Sequence, residues 1–145
     1  MDAVRTLQQT GTREHLPAFM QFIEQACRDA HASEDAAYAL RLVVEEVCLN
    51  LMQYGYAGMP PGPIGIDFAV DGDAITLTVR DQARPFHPDD APEPDLTSDV
   101  SNRPVGGLGW YLVKRLVDEI SYCTDARSGN RLTLVKRAAI RRKDV

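Results

Sequence analysis

The chain has 145 residues, 44% of them hydrophobic and 26% charged, which suits one soluble globular domain and excludes collagen-like, disordered and disulfide-scaffold chains. Sixteen basic residues stand against 21 acidic ones, a net charge of −5. Lys136, Arg137, Arg141, Arg142 and Lys143 crowd into the last ten residues, so residues 1–135 carry eleven basic and twenty acidic side chains, a surface that repels phosphate backbones and argues against a nucleic-acid groove.

No apolar run approaches the ~20 residues of a membrane span, and Asp2, Arg5, Gln8 and Gln9 interrupt any signal-peptide core. Cys27, Cys48 and Cys123 are scattered, odd in number and without metal-ligand spacing; core thiols in a reducing compartment, the cytoplasm, are expected. Val4 to Gln8 reads as a short first strand. Leu16, Phe19, Met20, Ile23, Ala26 and Cys27 recur at helical spacing over residues 16–30, with Pro17 tolerated in the first turn. Ser33 caps a longer helix running to Tyr54, where Gly55 is expected as a left-handed stop.

After a proline-rich loop over residues 58–63, strands are expected at residues 64–70 and 74–80, joined at Asp71-Gly72-Asp73, a hairpin signal. Residues 85–104 hold five prolines and five acids, longer than the ~12 to 15 residues of ordinary connections, and residues 87–105 read as a lid. Gly106-Gly107-Leu108-Gly109 opens a helix reaching about Asp118. Residues 120–124 and 132–137 read as a closing hairpin around Ser128-Gly129-Asn130, and residues 138–145 as a solvated basic tail. The order implies a single α+β domain over residues 1–145, a two-layer sandwich with helices on one face of a mixed, mainly antiparallel sheet.

Three constellations carry chemistry. In the second helix, Leu40, Val43, Val44, Val47 and Leu51 form one apolar face and Leu42, Leu49 and Met52 another. Glu46, Asn50 and Gln53 line up between them as a polar stripe, while Glu45 is expected to pair outside with Arg41. A solvated seam explains such a stripe blandly; a buried carboxylate there suits metal or acid/base chemistry. Asp81 ends a strand whose Ile75, Leu77 and Val79 alternate inward, as a turn former or as an acceptor for an adenine amine. Gly107 and Gly109 open a helix where backbone N–H groups can approach phosphate, although such glycines also serve tight packing.

In succession, Glu46-x-x-x-Asn50, Asp81-x-Ala83-x-Pro85-Phe86 and Gly107-Leu108-Gly109 resemble the three nucleotide-binding boxes of the ATPase superfamily of DNA gyrase, heat-shock chaperones, histidine kinases and mismatch-repair proteins. Small size, Pro85-Phe86, the Gly-Gly-Leu-Gly run, Leu112-Val113 and Asp118-Glu119 are similar to bacterial anti-sigma factors of the serine/threonine-kinase type, over about residues 12–137. The resemblance implies Mg-ATP as cofactor, a sigma factor as bound partner, and an anti-anti-sigma antagonist phosphorylated on Ser or Thr. Relatives often pair, which makes a homodimer possible.

In that family Glu46 matches the general base and Asn50 the Mg²⁺ ligand. Asp81 matches the adenine-reading acid, with Thr133 a helper through water. Gly107, Leu108 and Gly109 match the phosphate cradle, Arg103 a lid cation for the terminal phosphate, and Ala83 and Phe86 line the nucleotide side of the acidic box. Two positions depart from the pattern: Ala83 stands where the family has Gly, and Tyr54 where many members have His. A methyl at residue 83 is expected to crowd the base, or to strain the turn if its φ is positive. The competing readings are a nucleotide-binding or nucleotide-free sequestering protein without kinase activity, and a detached histidine-kinase catalytic domain, which lacks a visible phosphoacceptor helix.

Overall fold

The computed structural model describes residues 4–85 and 107–141. The elements are β1 (Arg5–Thr10), α1 (Leu16–Asp29), α2 (Glu34–Asn50), β2 (Pro63–Asp71), β3 (Ala74–Asp81), α3 (Gly107–Leu116), β4 (Glu119–Asp125) and β5 (Gly129–Lys136). The strands form one sheet in the order β1-β2-β3-β5-β4, and every pairing is antiparallel. Alternation along the strands sends Ile64, Ile66 and Phe68 of β2, Ile75, Leu77 and Val79 of β3, and Leu132 and Leu134 of β5 into the core. There they meet Phe19 and Ile23 of α1, Leu40, Val43 and Val47 of α2 and Val113 of α3. The outward face is polar: Asp67 accepts from Thr6 Oγ1 at 2.8 Å and from two nitrogens of Arg80 at 3.0 Å.

Local signals explain the boundaries. Ser33 Oγ accepts from the Ala36 N–H at 3.1 Å and starts α2, while Pro17 falls in the first turn of α1, where its missing N–H is an orphan anyway. Gly72 has φ +62° in the β2–β3 turn. Asp73 is not among the positive-φ residues, so left-handed geometry falls only on the first of the two loop residues, where glycine is free to adopt it.

Several expectations are corrected. The α-helical part of α2 ends at Asn50, and Leu51–Gly55 continues as one π turn, closed by the Tyr56 N–H to the Leu51 carbonyl at 2.9 Å. The wider turn lets Tyr56 drop into the core, where its hydroxyl donates to the Pro63 carbonyl at 2.6 Å. Gly55 is not left-handed; Gly58 is, at φ +75°. Arg41 pairs with Glu24 of α1 at 3.1 Å instead of Glu45, because the antiparallel α1–α2 hairpin offers a nearer carboxylate. Cys27 and Cys48 are buried, with burial pushing their thiols up to about 11 and about 12, but Cys123 is exposed on β4.

Residues 138–141, read as the start of a free tail, are docked. Ala139 is fully buried, the Ser33 N–H donates to its carbonyl at 2.7 Å, and the Arg141 N–H donates to the His31 carbonyl at 2.8 Å. The expected lid at residues 87–105 and the tail beyond Arg141 lie outside the described residues.

Gly129 has φ +86°, and a Cβ there would strike the carbonyl oxygen of Asp81. Gly129→Ala should therefore cost about 2 to 4 kcal/mol, combining left-handed strain with a backbone clash that cannot relax. At Gly72 a Cβ would meet nothing within 4 Å, so Gly72→Ala should cost only the ~1 to 2 kcal/mol of the conformation itself. Denaturant midpoints of the two variants check the ordering, and equal losses would contradict it.

Candidate functional site

At the end of β3, Asp81 is 6% exposed, a burial that a carboxylate tolerates only with partners. Its Oδ1 accepts from the Ala83 N–H at 2.9 Å and from Asn130 Nδ2 at 2.8 Å. Asn130 lies directly across the β3–β5 pairing from Asp81, so the register places the amide against the acid. The second Asn130 N–H goes to the Ala83 carbonyl at 2.8 Å, and Asn130 Oδ1 accepts from Thr124 Oγ1 at 2.7 Å. Burial pushes the Asp81 carboxyl above the ordinary range, while the bonds from Asn130 and the Ala83 N–H hold it partly back. Among the described residues no hydrogen bond reaches Oδ2, so one oxygen is saturated and the other remains for a ligand.

The turn after Asp81 is tied to the end of α2. The Arg84 N–H donates to the Gly55 carbonyl at 3.2 Å, and the Gln82 N–H donates to the Tyr56 hydroxyl at 2.9 Å. A Cβ on Gly55 would stand 3.0 Å from the Ala83 methyl. Ala83 is itself buried and is not among the positive-φ residues, so the feared strain at this position does not arise. The methyl is core packing beneath the acidic turn.

The second pole lies between α2 and α3. Glu46 and Asn50 are one turn apart, and both face Gly109: a Cβ on Gly109 would collide with the Glu46 carboxylate and stand 3.7 Å from Asn50 Nδ2. With glycine at this position α3 lies against that acid without displacing it. Burial, and secondarily the neighbouring Glu45, pushes the Glu46 carboxyl up, the direction expected of a carboxylate in an apolar helix face. Asn50 Nδ2 is buried and has no hydrogen-bond partner among the described residues. Such an orphan is rare in a folded core and suggests a polar ligand supplied from outside the chain. An amide oxygen beside a carboxylate is a donor set that a hard cation with several phosphate or water ligands accepts. The unpartnered atom is the amide nitrogen, a donor, so Mg²⁺ fits these residues once the Asn50 amide is turned to present Oδ1.

Of the residues singled out in the sequence, Glu46, Asn50 and Gly109 meet, and Asp81 and Ala83 meet, the two groups being bridged by Leu51–Gly55. Gly107 opens α3 as expected, with Leu108 in its first turn. Phe86 and Arg103 lie outside the described residues. Thr133 is a correction: it pairs with Thr78 and Ser121 on the outward face of the sheet, because it is out of phase with the buried Leu132 and Leu134. The residue beside Asp81 is Asn130, although its sequence context, Ser128-Gly129-Asn130, reads as a turn. The signal was present in the strand alternation, since stepping back two from Leu132 reaches Asn130.

A family model described as a histidine kinase-like ATPase domain matches residues 10–136. The chain is 31% identical over 100 residues to the serine-protein kinase RsbW of Bacillus licheniformis, covering 65% of this chain and 61% of that one. It is 22% identical over 102 residues to the anti-sigma F factor of Anoxybacillus flavithermus, covering 70% of each. The chain thus spans about three fifths of the length of the RsbW relative. Among solved structures, the histidine kinase domain of the blue-light activated kinase EL346 from Erythrobacter litoralis shares the fold, with a TM-score of 0.53 and 19% identity over 85% of this chain and 61% of that one.

Proposed function

Because the chain belongs to the histidine kinase-like ATPase domain family, we propose that it is an ATP-dependent serine/threonine kinase acting as an anti-sigma factor by partner switching. It holds a sigma factor inactive, and by phosphorylating Ser or Thr on an antagonist protein it makes that antagonist let go. The observation that supports this best is the meeting of Glu46, Asn50 and Gly109, together with relatives named serine-protein kinase and anti-sigma factor. Among the described residues no helix is long and apolar enough to cross a membrane, which is compatible with partners met in the cytoplasm.

In this reading Asp81 Oδ2 accepts a hydrogen bond from the adenine amine. Asn50 holds Mg²⁺, which supplies neutralisation of phosphate charge when bound. The backbone N–H groups of Gly107 and Gly109 would serve the phosphates, and Arg103 is the cation that the family resemblance assigns to the terminal one. Glu46 takes the proton of the antagonist's Ser or Thr hydroxyl as that oxygen bonds to the γ-phosphorus and the bond to the ADP oxygen breaks. Catalysis of this kind rests on positioning and charge stabilisation more than on covalent chemistry. The test is incubation of the purified protein with radiolabelled ATP and its antagonist. Label on a Ser or Thr of the antagonist supports the kinase; tight ATP or sigma-factor binding without label leaves a passive sequestering protein.

A further inference from the structure

The amide of Asn130 has only one workable orientation. Its two N–H groups face the Asp81 carboxylate and the Ala83 carbonyl, both acceptors, so a flipped amide would set oxygen against oxygen. Its own oxygen takes the Thr124 hydroxyl, which fixes the direction of the chain of bonds from Thr124 through Asn130 to Asp81. Two acceptors that face the same turn, the Ala83 carbonyl and Asp81 Oδ1, which also takes the Ala83 N–H, are thereby engaged on both sides. A single carboxylate oxygen is left.

That asymmetry decides which base edge the acid can read. Guanine presents two adjacent donors, N1–H and the 2-amino group, which match a carboxylate with both oxygens open, since bidentate pairing is the strong arrangement for a carboxylate. Adenine presents one donor, its 6-amino group, beside an acceptor, and needs only one oxygen. We infer that Asn130, anchored by Thr124, is a specificity-determining positioning residue that confines Asp81 to one open acceptor and so selects adenine over guanine nucleotides. The inference rests on the nucleotide site proposed above. Discrimination arises partly by denying guanine its second acceptor, a repulsive element added to the attractive one.

The experiment measures affinities for ADP and GDP by calorimetry on wild-type protein, Asn130→Ala and Thr124→Val, each with a thermal melt as a fold control. Wild type should prefer ADP. Asn130→Ala should narrow the ADP-to-GDP ratio about tenfold, the scale of one hydrogen bond to a charged group, by weakening ADP and strengthening GDP binding. Thr124→Val leaves the amide in place without its anchor and should narrow the ratio in the same direction by less. A purely structural role would weaken both nucleotides together. An unchanged ratio in a folded Asn130→Ala overturns the inference, as does an unchanged ratio in Thr124→Val should Asn130→Ala not fold. Wild type that binds neither nucleotide overturns the nucleotide site itself.

Discussion

Glu46→Gln is expected to retain Mg-ATP and sigma-factor binding while phosphoryl transfer to the antagonist falls by ~10² to 10⁴, the usual contribution of a positioned general base. The amide keeps the shape of the side chain but cannot take a proton. Asn50→Ala should instead lose nucleotide retention and transfer together, because it removes the side-chain oxygen proposed to hold the metal. Gly109→Ala provides a third, independent probe. Its methyl would occupy the space of the Glu46 carboxylate, and since that is the end of a flexible side chain, the acid should swing aside with little loss of stability. Transfer should then fall although both polar residues are intact. Full transfer in Glu46→Gln would remove the base from this position.

The raised carboxyl of Glu46 adds a pH signature. The base works ionised, so transfer should fail on acidification at a higher pH than an ordinary glutamate would allow. Stability should run the other way. A carboxyl whose pKa is raised on folding favours the folded state while neutral, and that contribution is lost as pH rises through the folded value. Glu46→Gln should therefore melt no lower than wild type at neutral pH, and a marked drop in melting temperature would mean that the side chain is chiefly structural.

Asp81→Asn is expected to weaken ATP binding about ten- to a hundredfold, equivalent to roughly 1.5 to 3 kcal/mol for a lost hydrogen bond to a charged group. The local bonds determine how the substitution fails. Asn130 and the Ala83 N–H both donate to Oδ1, so an asparagine must keep its oxygen there and turn its NH₂ outward, donor against the donor of adenine. The fold should survive, because the acid is already disfavoured in its ionised form by burial and its neutral replacement sheds that penalty above the ordinary carboxylate range. Calorimetry alongside a thermal melt separates the two effects. Equal ATP affinity for wild type and Asp81→Asn would remove adenine recognition from this residue.

Much of the architecture was legible in the chain because it rests on local rules. Alternation in residues 64–81 marked the central hairpin, Ser33 marked the start of α2, and apolar spacing marked α1, since burial of one face imposes a period wherever an element has only one wet side. The polar stripe of α2 was equally local, and it named Glu46 and Asn50 before any contact was visible. Tertiary structure decided what spacing does not encode. The π turn after Asn50 answers to the burial of Tyr56, and the choice of Glu24 over Glu45 as the partner of Arg41 depends on how α1 lies against α2. Alternation back from Leu132 already puts Asn130 on the inward face and Thr133 outward, but that Asn130 stands directly opposite Asp81 is a matter of β3–β5 register. Residues 49 positions apart in the chain meet there, and a shift of one residue would have turned Asn130 to solvent and Thr133 inward, because successive side chains of a strand point to opposite faces.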